Sequence, residues 1–130
     1  MRGPATARRR AAERRGRLGE WLCLWHLRLR GWRIVARSWR CPAGEIDIVA
    51  RRGGVLAVIE VKSRVAPGGD ASAVPAPRQR RRITRAAEAF LKSRPDLAPL
   101  ALRFDLMQVS SGRLPRHQPA AWRADDRASR

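Results

Sequence analysis

A chain of 130 residues, 44% of them hydrophobic, is long enough for one domain with its own core and too short for two. It carries 29 Lys+Arg against 11 Asp+Glu, a net charge of +18 that favours polyanionic partners. Two cysteines without CxxC spacing, and without histidines at finger spacing, exclude a zinc finger or a disulfide framework, and no apolar run approaches the ~20 residues of a membrane span. A protein of the reducing cytoplasm, soluble, unprocessed and without a membrane partner, is therefore expected. Lys62 and Lys92 are the only lysines. Arg supplies almost all the positive charge, as GC-rich coding alone would also produce.

Residues 1–16 hold Arg, Ala, Pro and Gly with little to bury and read as a disordered basic arm rather than a transit peptide. The domain is expected over residues 17–110. Leu18, Trp21, Leu22, Trp25 and Leu29 recur at helical spacing before Gly31, which predicts a first helix with that stripe as its main apolar face and Leu24 and Leu27 on the other side. Trp32 to Trp39 is β-rich and predicts a first strand, and Glu45 to Ala50 a second after a Pro/Gly turn. Val55 to Lys62 predicts a third strand, apolar enough to be buried on both faces. A flexible loop follows Arg64. Arg78 to Arg94 returns to helical spacing and stops before Pro95, and Ala101 to Val109 reads as a last strand. Residues 111–130 read as a poorly ordered tail. The order is α-β-β-β-α-β, an α/β domain with a mixed central sheet flanked by helices.

Three of the eleven acids fall in the central hairpin, at Glu45, Asp47 and Glu60. A two-residue Gly53-Gly54 turn sets Arg52 opposite Val55. Counting back along both strands then places Asp47 opposite Glu60 and Glu45 opposite Lys62, all four on one side of the sheet. Opposed carboxylates with Cβ atoms ~5 Å apart repel unless something positive lies between them. Mg²⁺ or Mn²⁺ would answer that, with Asp47, Glu60 and the Val61 backbone carbonyl as the protein's share of an incomplete oxygen shell. Lys62, two residues on, would act on a water and on a phosphate, which completes a parts list for phosphodiester hydrolysis. The bland alternative is that Glu60 and Lys62 are polar residues at a strand end, with Glu45 and Lys62 in a cross-strand ion pair.

The runs Gly44-Glu45-Ile46-Asp47-Ile48-Val49-Ala50 and Val58-Ile59-Glu60-Val61-Lys62-Ser63-Arg64 resemble the paired signatures of the YraN family, small bacterial proteins similar in turn to PD-(D/E)xK nucleases and Holliday-junction resolvases. Gly19-Glu20, Gly31-Trp32-Arg33-Ile34, the Arg-rich second helix and Arg103-Phe104-Asp105 fit the same order. The resemblance covers roughly Arg17 to Val109. It implies a restriction-endonuclease-like fold with Asp47, Glu60 and Lys62 at the catalytic positions and Glu20 as an additional helix-borne acid. By analogy with the resolvases it also implies branched DNA as substrate and a homodimer. On a helical wheel Glu20 lies about 200° from Leu18, away from the expected apolar stripe, so a dipole-stabilising surface acid is its competing reading.

Arg78, Arg80, Arg81, Arg82 and Arg85 crowd two turns of the second helix. With Arg64, the residues Arg78, Arg81, Arg82 and Arg85 are the expected phosphate-backbone contacts, to DNA in preference to RNA. Trp21, Trp25 and Trp32 read as core and Trp39 as a weak stacking candidate, while His26 and His117 receive no role. Three functional classes remain: a metal-dependent nuclease, a non-catalytic binding module of the same fold, and a basic scaffold for RNA or anionic surfaces.

Overall fold

The computed structural model describes residues 18–63, 74–110 and 112–124. Helix α1 occupies residues 18–29 of the described chain. It is followed by β1 (Arg33–Cys41), β2 (Gly44–Arg52), β3 (Val55–Ser63), α2 (Pro77–Ser93), a 3-10 turn (Pro95–Leu97), β4 (Ala101–Val109) and β5 (Arg116–Trp122). The five strands form one sheet in the order β1-β2-β3-β4-β5. Pairing is antiparallel except between β3 and β4, which run parallel with α2 in the crossover, as a parallel connection requires. This is the mixed sheet flanked by helices that the sequence implies.

Each helix covers one face. Leu56 and Val58 of β3 point to α2 and pack with Ile83, Ala87, Phe90, Phe104 and Trp122. Ala57 and Ile59 point the other way, to Cys23, Leu24 and Leu27 of α1 and to Met107. The third strand is thus buried on both faces, as its unbroken apolar run demands. The hairpin register also follows the sequence reading. Gly53 takes a φ of 57°, and the ladder runs from Arg52↔Val55 to Ile48↔Ile59.

Two expectations are corrected. On α1 the buried face is Cys23, Leu24 and Leu27, whereas Leu18 (57% exposed), Trp21 (52%), Trp25 (45%) and Leu29 (81%) face outward. Trp21 and Trp25 therefore lie outside the core, contacting each other edge to face at 6.0 Å. Both sides of this helix are apolar, so periodicity alone does not choose between them. Small Cys23 and the adjoining leucines fit the flat surface formed by Ala50, Ala57 and Ile59, and two indoles do not.

Second, the segment expected to be a poorly ordered tail contains β5. Its sequence hides it, since Pro119 interrupts it and no β-branched residue marks it. Its anchor is a side chain of β4. Asp105, fully buried, accepts Arg103 Nε and Nη2 at 2.8 and 2.9 Å, His117 Nε2 at 2.7 Å and the Ala120 N–H at 2.9 Å. The register shifts between Phe104 and Leu106, and Ala120 takes a positive φ of 50°, which lets its N–H turn to the carboxylate. Trp122 then stacks on Phe104 at 4.1 Å. The expected basic arm, residues 1–16, and Arg64 lie outside the described residues.

Candidate functional site

The β2–β3 ladder has its last paired positions at Ile48↔Ile59, and the acids occupy the next step. There the Asp47 side chain replaces a backbone acceptor, its Oδ2 taking the Val61 N–H at 2.8 Å. The carboxyl groups of Asp47 and Glu60 hydrogen-bond to each other, so the opposition expected from the hairpin register is realised. Glu60 Oε1 also accepts Gln79 Nε2 at 2.9 Å, from the first turn of α2. Lys62, half-buried, lies close enough for its charge to favour ionisation of both acids.

Burial pushes both carboxyls up. For Asp47 that outweighs the Val61 N–H, the Glu60 hydrogen bond and Lys62, all of which act in the other direction. For Glu60, burial is reinforced by the Asp47 charge and hydrogen bond, and its pKa rises to about 8. Two half-buried carboxyls and one lysine hold one proton between the acids more readily than two negative charges. A cation of higher charge density would take that proton's place.

Glu20 comes to the same end of the sheet because α1 packs through the face opposite its tryptophan stripe. It lies one turn before Cys23 and Leu24, accepts Ser38 Oγ at 3.2 Å, and is close enough to Asp47 and Glu45 to feel both charges. Burial first, then those charges, raise its pKa against the Ser38 and Arg37 contributions. Ser38 holds a positive φ of 48°, a sparsely populated conformation for a residue with a side chain. The neighbouring Cys23 thiol is pushed up to about 12 by burial and by Glu20 and Asp47, which leaves it inert as a nucleophile.

Glu45 stands apart. It is exposed and pairs with Arg40 Nε at 3.5 Å on the neighbouring strand β1, rather than with Lys62 as the bland alternative would have it. On α2, Arg78, Arg81, Arg82 and Arg85 are exposed on the side opposite Ile83, Ala86, Ala87 and Phe90, and among the described residues none forms an ion pair. Arg80 differs from them, since its Nη1 donates to the Pro75 carbonyl at 2.9 Å. Trp39, half-buried, packs edge to face on Phe90 at 5.3 Å. Gln79 was not foreseen, and a single glutamine among arginines carries no signal of its own.

The donor set suits a hard divalent cation. Among the described residues no group of three or more His, Cys, Asp or Glu side chains has metal-holding geometry. Mg²⁺, however, is commonly held by one or two carboxylates, with water and substrate phosphate completing the shell. Asp47 and Glu60 fit that pattern.

Comparison with known proteins agrees over most of the chain. The model of the uncharacterised protein family UPF0102 matches residues 19–109. The UPF0102 protein amb4503 of Paramagnetospirillum magneticum is 48% identical over 126 residues, covering 94% of this chain and 97% of its own length. The UPF0102 protein Mmar10_3014 of Maricaulis maris is 49% identical over 123 residues, covering 95% and 96%. A UPF0102 protein of Parvibaculum lavamentivorans is 50% identical over 113 residues, covering 87% and 84%. The matched span contains both hairpin signatures, Glu20 and the Arg-rich helix, and the chain belongs to UPF0102, the YraN family that its sequence resembles.

Proposed function

We propose that this protein is a metal-dependent nuclease of the bacterial cytoplasm, hydrolysing phosphodiester bonds in DNA, with branched structures as its substrates. One observation carries the reading. In a chain of net charge +18, the carboxyls of Asp47 and Glu60 are pressed together where a β-ladder opens, and both resist ionisation. For fold stability alone, such a pair is a poor solution.

Asp47 and Glu60, with the Val61 carbonyl, would hold Mg²⁺ or Mn²⁺, which when bound supplies charge neutralisation and Lewis acidity. Asp47 is steadied by the Val61 N–H and Glu60 by Gln79, so both carboxylates are fixed without a ligand. Lys62 orients the attacking water and stabilises charge on the phosphate. Glu20, held by Ser38, adds a carboxylate at the margin and is positioned to accept a proton from water. The exposed arginines of α2 lie on the helix whose first turn touches Glu60, suited to guiding a strand toward the acids. The restriction-endonuclease-like architecture and the resolvase analogy support a homodimer on a four-way junction.

The test is cleavage of end-labelled single-stranded, duplex, flap and four-way-junction DNA by the wild type and Asp47→Asn, with Mg²⁺, Mn²⁺ or chelator. Metal-dependent cutting that disappears in Asp47→Asn is expected. Binding without cutting across the panel would favour a non-catalytic module. Binding that responds to salt but not to metal or to Asp47 would leave only a basic scaffold.

A further inference from the structure

Away from the acids, a cavity of about 450 Å³ is lined by His26, Arg30, Trp32, Arg52, Arg103 and His117, together with Arg116 and two prolines. Four guanidinium groups thus face one space. Among the described residues the single carboxylate at this site is Asp105, and its oxygens are occupied by Arg103, His117 and the Ala120 N–H. Arg30, Arg52 and Arg116 form no ion pair among the described residues.

Two of these cations, Arg103 and Arg52, are held in place by the protein. Asp105 grips Arg103 bidentately and leaves its Nη1 free to bond elsewhere. Arg52 lies over the Trp32 ring at 4.6 Å and donates Nη1 to the Arg30 carbonyl at 3.2 Å, while Arg103 approaches the same ring at 5.4 Å. Trp32 is 4% exposed, so its role is to hold guanidinium groups rather than to stack a ligand. Guanidinium groups held in place before binding match phosphate oxygens with little further loss of side-chain freedom.

We propose that this cavity is a phosphate-binding site, separate from the acid cleft. Its position relates it to the cleft. Glu20 of helix α1 lies at the cleft and Arg30, just past the end of that helix, at the cavity, ten residues or about 15 Å apart. Strand β2 gives a second ruler, with Asp47 and Arg52 five residues or about 17 Å apart. The two agree on the backbone separation, and side chains five residues apart on a strand leave on opposite faces of the sheet. The phosphate belongs either to a strand that also reaches the acids, which rests on the nuclease reading, or to a free phosphorylated small molecule, which does not.

The experiment is calorimetric titration of the full chain with inorganic pyrophosphate in chelator. Wild type is compared with Arg30→Ser/Arg116→Ser and with a charge control at exposed sites, Lys92→Ser/Arg113→Ser. Pyrophosphate affinity should fall at least tenfold in the first variant and less than twofold in the control. Arg52→Ser is a second cavity variant and should give the same loss. No binding by the wild type, or equal losses in cavity and control variants, overturns the proposal. Affinity for a 20-base-pair duplex, measured on the same proteins, identifies the source. A parallel tenfold loss assigns the phosphate to a strand, and an unchanged duplex affinity assigns it to a small molecule. Cleavage by the wild type and its loss in Asp47→Asn are read separately, so failure of the nuclease reading leaves the pyrophosphate result standing.

Discussion

Replacing Asp105 by Asn isolates the contribution of one carboxylate to the β4–β5 junction. The carboxylate accepts four hydrogen bonds from three groups and is fully buried. Asn keeps the volume but turns one oxygen into a donor. That donor faces either Arg103 Nη2 and His117 Nε2, where the imidazole can accept in its other tautomer, or, flipped, Arg103 Nε and the Ala120 N–H, so at least the Arg103 pairing is broken in each orientation. Breaking one side of a buried ion pair costs about 3–5 kcal/mol. The Arg103 side chain is 27% exposed, so water recovers part of its loss, and we expect about 3 kcal/mol for Asp105→Asn. Urea unfolding followed by tryptophan fluorescence should register a drop in midpoint of roughly 1–3 M for that loss. The pH dependence is a second check. Burial alone would raise the Asp105 pKa, but hydrogen bonds from His117, Arg103 and Ala120 outweigh it and hold the group below its ordinary value. Its contribution is therefore complete above the unfolded value of about 3.8 and fades as pH falls through the lower folded value. The gap between wild type and Asp105→Asn should be constant from pH 7 to 5 and narrow below 4. A loss under 1 kcal/mol at pH 7, or a gap unchanged down to pH 3, would refute the argument.

The acid pair has the opposite sign. Glu60 binds its proton more tightly folded than unfolded, so its contribution to stability is present below about 4.5 and is lost as pH rises toward about 8. In chelator, Glu60→Gln should raise the melting temperature at pH 8, by an amount corresponding to about 1–2 kcal/mol, and change it little at pH 5. On α1, Leu24→Ala should cost about 2–4 kcal/mol in urea unfolding and Leu29→Ala less than about 0.5, the reverse of what the tryptophan stripe would suggest. At Ser38, Gly should melt higher than Ala by the equivalent of about 1 kcal/mol, since both lose the bond to Glu20 and only Gly accepts the positive φ freely.

The hairpin was the most legible part of the chain. Period-2 patterning and the Gly-Gly turn set a register that brought Asp47 to Glu60, because a buried sheet tolerates no one-residue slip. β4 was equally plain, from Ala101 to Val109. The orientation of α1 was not, since Leu18, Trp21 and Trp25 compete with Cys23, Leu24 and Leu27 on periodicity and only the partner surface decides. That choice also sets where Glu20 lies, near Asp47 and Glu45 and bonded to Ser38. β5 escaped because a buried Asp105 fastens it, a contact invisible to local patterning. His117 belonged to the same omission.

The outward tryptophans of α1 also set the two extremes of the protein's fluorescence, with half-buried Trp39 between them. Trp21 and Trp25 meet water, whereas Trp32 and Trp122 are 4% and 5% exposed. A neutral quencher such as acrylamide should extinguish the red side of the emission first and leave a blue-shifted remainder from the core. Anything that covers the outer face of α1 would remove that preferential loss without disturbing the blue component. The native chain thus carries an optical reporter for one surface, with an internal standard in the same spectrum.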